Sequence, residues 1–155
     1  MQKLELEPVG RVVSEIKNAR DEHWGSVTAE VQLDASRFSP AALEGLAEFS
    51  HVEILFCFNQ VAESSIVSAQ RHPRNNPKWP KIGIFAQRGR NRPNRIGATI
   101  CEVVSVNGLS LNVRGLDAFD GSPVLDIKPV MAEFLPDRAE IRQPQWSREL
   151  MSTYF

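Results

Sequence analysis

IGATICEVVSVNGLSLNVRGLD, Ile96–Asp117, carries the clearest structural signal in the chain. Ile96–Val106 is rich in β-branched side chains. Asn107–Gly108 is a turn dipeptide whose residues tolerate the positive φ of tight hairpin turns, and Leu109–Val113 returns with apolar and polar residues alternating. The pattern predicts a β-hairpin.

The segments on either side read the same way. VGRVVSEI, Val9–Ile16, is predicted as a first strand. In SVTAEVQLD, Val27, Ala29, Val31 and Leu33 fall on one face and Thr28, Glu30 and Gln32 on the other, as in a half-buried strand. HVEILFCFNQ is a strongly apolar run, predicted as a central strand ending near Asn59–Gln60. KIGIFA and Val124–Ile127 read as short strands. SPAALEGLAEFS predicts a short helix, with Ser39 as N-cap, Pro40 at the first helical position and Leu43, Leu46, Ala47 and Phe49 as its apolar stripe. Turns rather than long helices join the strands. The expected fold is therefore mainly β, a single-domain barrel or sandwich with one or two short helices. Neither a βαβ alternation nor a G-x-G-x-x-G fingerprint after a first strand is present, which disfavours a dinucleotide fold. The tail, Pro136–Phe155, carries Trp146, Leu150 and Phe155 and is expected to form a final helical turn that packs on the domain or on a second subunit.

At 155 residues the chain suits one domain. A domain of that size buries roughly 68–70% of its unfolded surface and needs no disulfide or metal staple. No apolar run reaches the 18 or so residues of a membrane span, and MQKLELEPVG lacks the apolar core of a signal peptide, so a cytoplasmic protein is expected. Cys57 and Cys101 stand alone in strand-like stretches and read as buried free thiols. His23, His51 and His72 are too scattered for zinc, and no metal is expected.

Formal net charge is −1, yet the charge is segregated. From Ser64 through Cys101 there is no Asp or Glu, while Arg71, Arg74, Lys78, Lys81, Arg88, Arg90, Arg92 and Arg95 account for eight of the 18 basic residues. Such segregation marks a surface for an anionic partner. The other reading is a solvated loop whose arginines pair with acids from distant segments, and charge alone leaves the two open. Val61–Lys81 has three prolines and little periodicity and reads as a long loop, the kind that in compact domains is functional or disordered. Three more pieces look chemical: the carboxamide pair in FNQ, the DAFDG turn, and the polar loop RDEHWG, whose Trp24 reads as core before platform.

HPR at His72–Arg74, GIFAQR at Gly83–Arg88, RPNRIG at Arg92–Gly97 and GLDAFDGSPVLDIKPV at Gly115–Val130 together resemble the signature blocks of the TrmO-type (TsaA-like) tRNA methyltransferases. The resemblance runs from Val9 to about Val130, in order. It implies a β-barrel domain over residues 1–135, with residues 136–155 as the appended tail. It also implies bound S-adenosyl-L-methionine, a homodimer, and methyl transfer to the exocyclic nitrogen of threonylcarbamoyl-adenosine beside the anticodon of tRNA. Matched position by position, it implies cofactor contacts at Asn59, Gln60, Arg88, Ala98, Asp117, Ala118, Phe119 and Asp120, and at Asp21, Glu22 and His23 in the N-terminal loop. Two positions depart from the pattern: Gln87, where a small polar residue is expected, and Arg95, where proline is common. Many bacterial relatives carry a second C-terminal domain thought to help hold tRNA, and this chain stops about twenty-five residues after the signature.

Charge divides the arginines further. A sulfonium is repelled by a ring of guanidiniums, so Arg88 is expected on the cofactor's carboxylate or adenine. Arg71, Arg74, Lys78, Lys81, Arg90, Arg92 and Arg95 are expected on RNA phosphates. The sulfonium is expected near Asp117, Asp120 or a backbone carbonyl. Trp79, in the basic loop, is a candidate stacking platform, with a core role as the equal alternative. Two competing functions stand beside this one: a non-catalytic RNA-binding barrel, and a methyltransferase with a non-tRNA acceptor.

Overall fold

The computed structural model describes residues 2–18, 20 and 22–155. Six strands close into an antiparallel barrel in the order β1-β2-β7-β6-β3-β8. They are β1 (Gly10–Val13), β2 (Thr28–Leu33), β3 (His51–Cys57), β6 (Ile96–Asn107), β7 (Ser110–Arg114) and β8 (Pro123–Pro129). The remaining two strands, β4 (Gln70–Arg71) and β5 (Ile82–Gly83), form a separate ribbon. A barrel, not a sandwich, is the outcome, and closure removes the exposed sheet edges that invite aggregation.

Period-two alternation builds the core. Ala29, Val31 and Leu33 from β2, Val52, Ile54 and Phe56 from β3, and Leu111 and Val113 from β7 are all buried in one cluster with Val12, Cys101 and Val124. Gly97 lies opposite Phe56 in the β3–β6 register, and a Cβ there would sit 2.4 Å from the Phe56 ring. The glycine is thus a slot for the ring, which in turn meets Phe58 edge-on at a centroid distance of 5.0 Å. Cys57 pairs with Ile96 and Cys101 with Val52, at opposite ends of the β3–β6 register, and both thiols are free. Burial first, and then the negative charge of Asp117, push the Cys101 thiol up to about 12.

Several local expectations shift. The first strand ends at Val13, because the Ser14 N–H turns aside to Asp120 Oδ1 at 3.1 Å. The predicted helix over Ser39–Phe49 is two 3-10 turns, Pro40–Leu43 and Leu46–Glu48, separated by Gly45 at φ 80°; the Ser39 side chain makes no cap bond. The hairpin turn centres on Gly108–Leu109, one residue later than expected, since Asn107 pairs with Ser110. KIGIFA contributes only Ile82–Gly83 to a strand and then winds into a 3-10 turn at Ile84–Ala86. β8 runs longer than Val124–Ile127, from Pro123 to Pro129. The tail forms α1 (Gln145–Met151), and its last residues lie against the barrel: His23 N–H donates to Thr153 O and Trp24 N–H to Tyr154 O, each at 2.7 Å.

Candidate functional site

The end of β3 and the start of β6 create the site. Beyond Cys57 the chain turns sharply, with Phe58 N–H donating to Arg95 O at 2.8 Å and Val61 N–H to Phe58 O at 3.1 Å. Arg95 sits at φ 53°, a left-handed conformation that the proline ring forbids. Its guanidinium donates to Val61 O at 3.0 Å. Arg95 therefore staples the mouth of the barrel, which gives the departure from the expected proline a structural meaning in this chain.

A cleft of about 440 Å³ opens at this mouth, lined by Phe58, Gln60, Val61, Ala62, Ser65, Arg90, Asn91 and Phe119. Gln60, Arg90 and Phe119 were singled out from the sequence; Phe58, Ser65 and Asn91 were not. Nothing in their own residue types marked them, although Phe58 adjoins the carboxamide pair. Asn91 is fixed by donating to Ser65 O at 3.0 Å and to Ser65 Oγ at 3.1 Å. Asn59 is exposed beside the cleft. Phe119 also meets Trp24 at a ring-centroid distance of 6.1 Å. Trp24 itself is buried, as the core reading expects, and its indole N–H has no partner among the described residues. Ala118 is buried at 1% exposure, backbone and side chain alike.

Asp117 and Asp120 divide their tasks. Thr99 Oγ1 donates to Asp117 Oδ1 and Tyr154 Oη donates to Oδ2, which fills both oxygens of that carboxylate. Asp120 accepts the Ser14 N–H on Oδ1, and no hydrogen bond engages its Oδ2 among the described residues. Ile16 O and Val12 O accept the N–H groups of Asp120 and Gly121, each at 2.8 Å, stitching this turn to the β1 end.

The basic segment buries few apolar side chains, Pro73 and Ile84 among them, and polar side chains tie its backbone together. Gln87 donates to both Arg71 O and Ile82 O at 3.0 Å, holding the β4–β5 ribbon. His72 Nδ1 donates to Trp79 O at 2.7 Å. Arg71 donates to Asn75 Oδ1 at 2.9 Å, Arg92 to Gln87 O at 3.2 Å, and Arg88 to Ala98 O. Arg88 and Ala98, expected separately, thus meet. The side chains of Lys78, Lys81 and Arg90 make neither a hydrogen bond nor an ion pair among the described residues, while the Lys78 N–H donates to Asn76 Oδ1 at 3.0 Å. Arg74 alone of the eight pairs with an acid among the described residues, Glu22 at 4.0 Å, while its guanidinium lies 5.8 Å from the Tyr154 ring centroid. Backbone carbonyls orient Arg88, Arg92 and Arg95, and a carboxamide oxygen orients Arg71. Trp79 is half-buried and donates its indole N–H to Glu149 Oε2 at 3.0 Å. In the N-terminal loop, Arg20 donates to Glu22 O and His23 O, and His23 sits at φ 59°. Asp21, expected among the cofactor contacts, lies outside the described residues.

Known proteins resemble this chain in sequence and fold. A family model, the tRNA-methyltransferase O N-terminal domain, matches residues 19–135. The tRNA (adenine(37)-N6)-methyltransferase of Escherichia coli K12 is 39% identical over 118 residues, covering 72% of this chain and 50% of that protein. A probable S-adenosyl-L-methionine-binding protein of Methanothermobacter thermautotrophicus is 36% identical over 130 residues, covering 81% of this chain and 89% of that one. The crystal structure of TrmO from Pseudomonas aeruginosa superposes with a TM-score of 0.75 at 26% identity, covering 94% of this chain and 62% of that chain. This chain spans 21% to 50% of the length of the mouse and E. coli methyltransferases it matches. On the family match and the archaeal relative, the chain belongs to the tRNA-methyltransferase O N-terminal domain family.

Proposed function

We propose that this protein is an S-adenosyl-L-methionine-dependent methyltransferase acting on the exocyclic N6 of adenosine 37 in tRNA, in its threonylcarbamoylated form. One observation carries the reading: in a chain of this family, an aromatic-walled cleft opens beside a segment whose positive charges are oriented but not neutralised. The cleft suits the cofactor. Its volume of about 440 Å³ lies within the roughly 300–1,000 Å³ of small-molecule sites. Phe58 and Phe119 offer faces to a flat base, Gln60 and Asn91 offer amide edges, and Arg90 offers a guanidinium for a carboxylate. Arg88 and Ala98 extend the site along β6, and Asn59, Glu22 and His23 border it in this reading.

Bound S-adenosylmethionine supplies a methyl group activated by its sulfonium. The chain's own contribution is mostly positional, since the acceptor nitrogen is a weak nucleophile and the rate depends on in-line alignment. We assign the cation-facing role to Asp120, whose Oδ2 is uncommitted, and a structural role to Asp117, whose two oxygens are taken. A carboxylate so placed also receives the departing proton, an effect of roughly 10²–10⁴-fold at most. Arg71, Arg74, Lys78, Lys81, Arg92 and Arg95 form the RNA side, Arg90 being taken by the cleft, and Trp79 offers a face for a splayed anticodon-loop base. We read the protein as a cytoplasmic homodimer. Support for a second copy comes from apolar side chains left in solvent, among them Phe134 at 84% exposure, with Ile100 and Val104 on β6.

Purified protein, S-adenosylmethionine and threonylcarbamoylated tRNA test the reading, with digested nucleosides followed by mass spectrometry. A 14-dalton gain on that nucleoside is expected. Cofactor binding with no gain on any tRNA nucleoside would point to a different acceptor, and no cofactor binding would point to an RNA-binding barrel.

A further inference from the structure

The tail touches three segments around the barrel mouth: the N-terminal loop, the basic loop and the turn that carries Asp117. Thr153 O and Tyr154 O accept the N–H groups of His23 and Trp24. Glu149 accepts the indole N–H of Trp79 in the basic loop. Tyr154, the chain's single tyrosine, donates its hydroxyl to Asp117 at 2.5 Å, and Arg74 lies over its ring. Gly25 makes the approach possible, because a Cβ there would come within 2.8 Å of the Phe155 carbonyl carbon. Meanwhile every residue from Met131 to Gln145 is exposed, so this tail is joined to β8 by a solvated arm and is placed by these end contacts.

Two routes lead from Tyr154 to the cleft wall. Through its hydroxyl it holds Asp117, which Thr99 holds from the barrel interior, and Phe119 follows two residues later. Through its carbonyl it holds the backbone of Trp24, whose ring packs on Phe119. We infer that Tyr154 is a positioning residue: its hydroxyl locks the Asp117 carboxylate and so fixes the turn that presents Phe119 and Asp120 to the cleft. The effect on catalysis rests on the function proposed above; the effect on the turn does not. A tail that merely stabilised the barrel would act through its ring and backbone, and the hydroxyl would not matter.

Tyr154→Phe keeps ring and backbone and removes only the hydroxyl. In the free protein, amide hydrogen exchange at Asp120, Gly121 and Ser122 should quicken about tenfold, while β6 and β7 exchange as before. By titration calorimetry, affinity for S-adenosylmethionine should fall about tenfold. Affinity for a tRNA anticodon stem-loop, and its salt dependence, should stay within twofold of wild type. Unchanged exchange in residues 120–122, or exchange quickened equally throughout the barrel, would overturn the assignment. If the wild-type protein binds no S-adenosylmethionine, the functional reading fails, and the exchange comparison still decides the role of Tyr154.

Discussion

The barrel and the segment at its mouth are built by opposite means. Inside the barrel, alternate residues of β2, β3 and β7 bury Val, Ile, Leu and Phe against one another, and the backbone pairs in register. Between Val61 and Arg95 two dipeptide strands are the only sheet, and side chains carry the order instead: Gln87, Asn91, Arg92 and Arg95 all donate to backbone carbonyls. The first region derives its stability from removing apolar surface from water, which requires no particular polar residue at any one place. The second depends on specific donors, each worth about 0.5–1.5 kcal/mol net. It thereby keeps its guanidiniums charged and its backbone fixed, which is what an anion-binding rim requires.

That contrast can be broken from the barrel side first. Phe56→Ala empties the ring slot over Gly97 and should cost about 3–5 kcal/mol, read as a large fall in Tm with loss of the cleft wall at Phe58. Gln87→Ala removes two hydrogen bonds from the ribbon and should cost about 1–3 kcal/mol. Exchange of segment 65–92 should quicken ahead of the barrel strands; a barrel that loosened equally would show the two regions to be one cooperative unit. Lys78→Ala with Lys81→Ala should leave the free energy of unfolding within about 0.5 kcal/mol of wild type, as for surface side chains lacking partners. The same pair should flatten the plot of log affinity against log salt for single-stranded RNA by about 0.7 for each phosphate that the two lysines neutralise. The effect that is smallest at neutral pH lies in the core. Cys101 should resist thiol reagents at pH 8 in the folded protein. In the unfolded chain this thiol ionises near its ordinary value of 9.0, but in the folded protein only near 12. Its stabilising contribution is therefore complete below about pH 9 and is lost progressively between there and about pH 12, which a Cys101→Ala comparison of alkaline unfolding would measure.

Legibility followed the same divide. β2, β3 and the β6–β7 hairpin could be read from alternation and a turn dipeptide, because burial on one face imposes period two on the sequence. The helix expected over Ser39–Phe49 failed because Gly45, at φ 80°, interrupts a stripe too short to recover. In the basic segment, charge segregation disclosed that a surface existed but not its geometry. Arg88, Arg92 and Arg95 look alike in sequence, and only the fold shows each on a different carbonyl, with Arg90 left at the cleft. Asp117 and Asp120 likewise separate only once Thr99 and Tyr154 are seen to fill one of them. Tyr154, 37 residues away from Asp117, left no local signal.

The central claim is that the cleft between Phe58 and Phe119, at the edge of the uncancelled positive segment, is where the methyl donor binds. A crystal structure with S-adenosylhomocysteine tests it most directly. The account predicts the ligand in that cleft, its adenine against one or both phenyl rings and its carboxylate within reach of Arg90 or Arg88. A ligand bound elsewhere, with neither phenylalanine in contact, would contradict it.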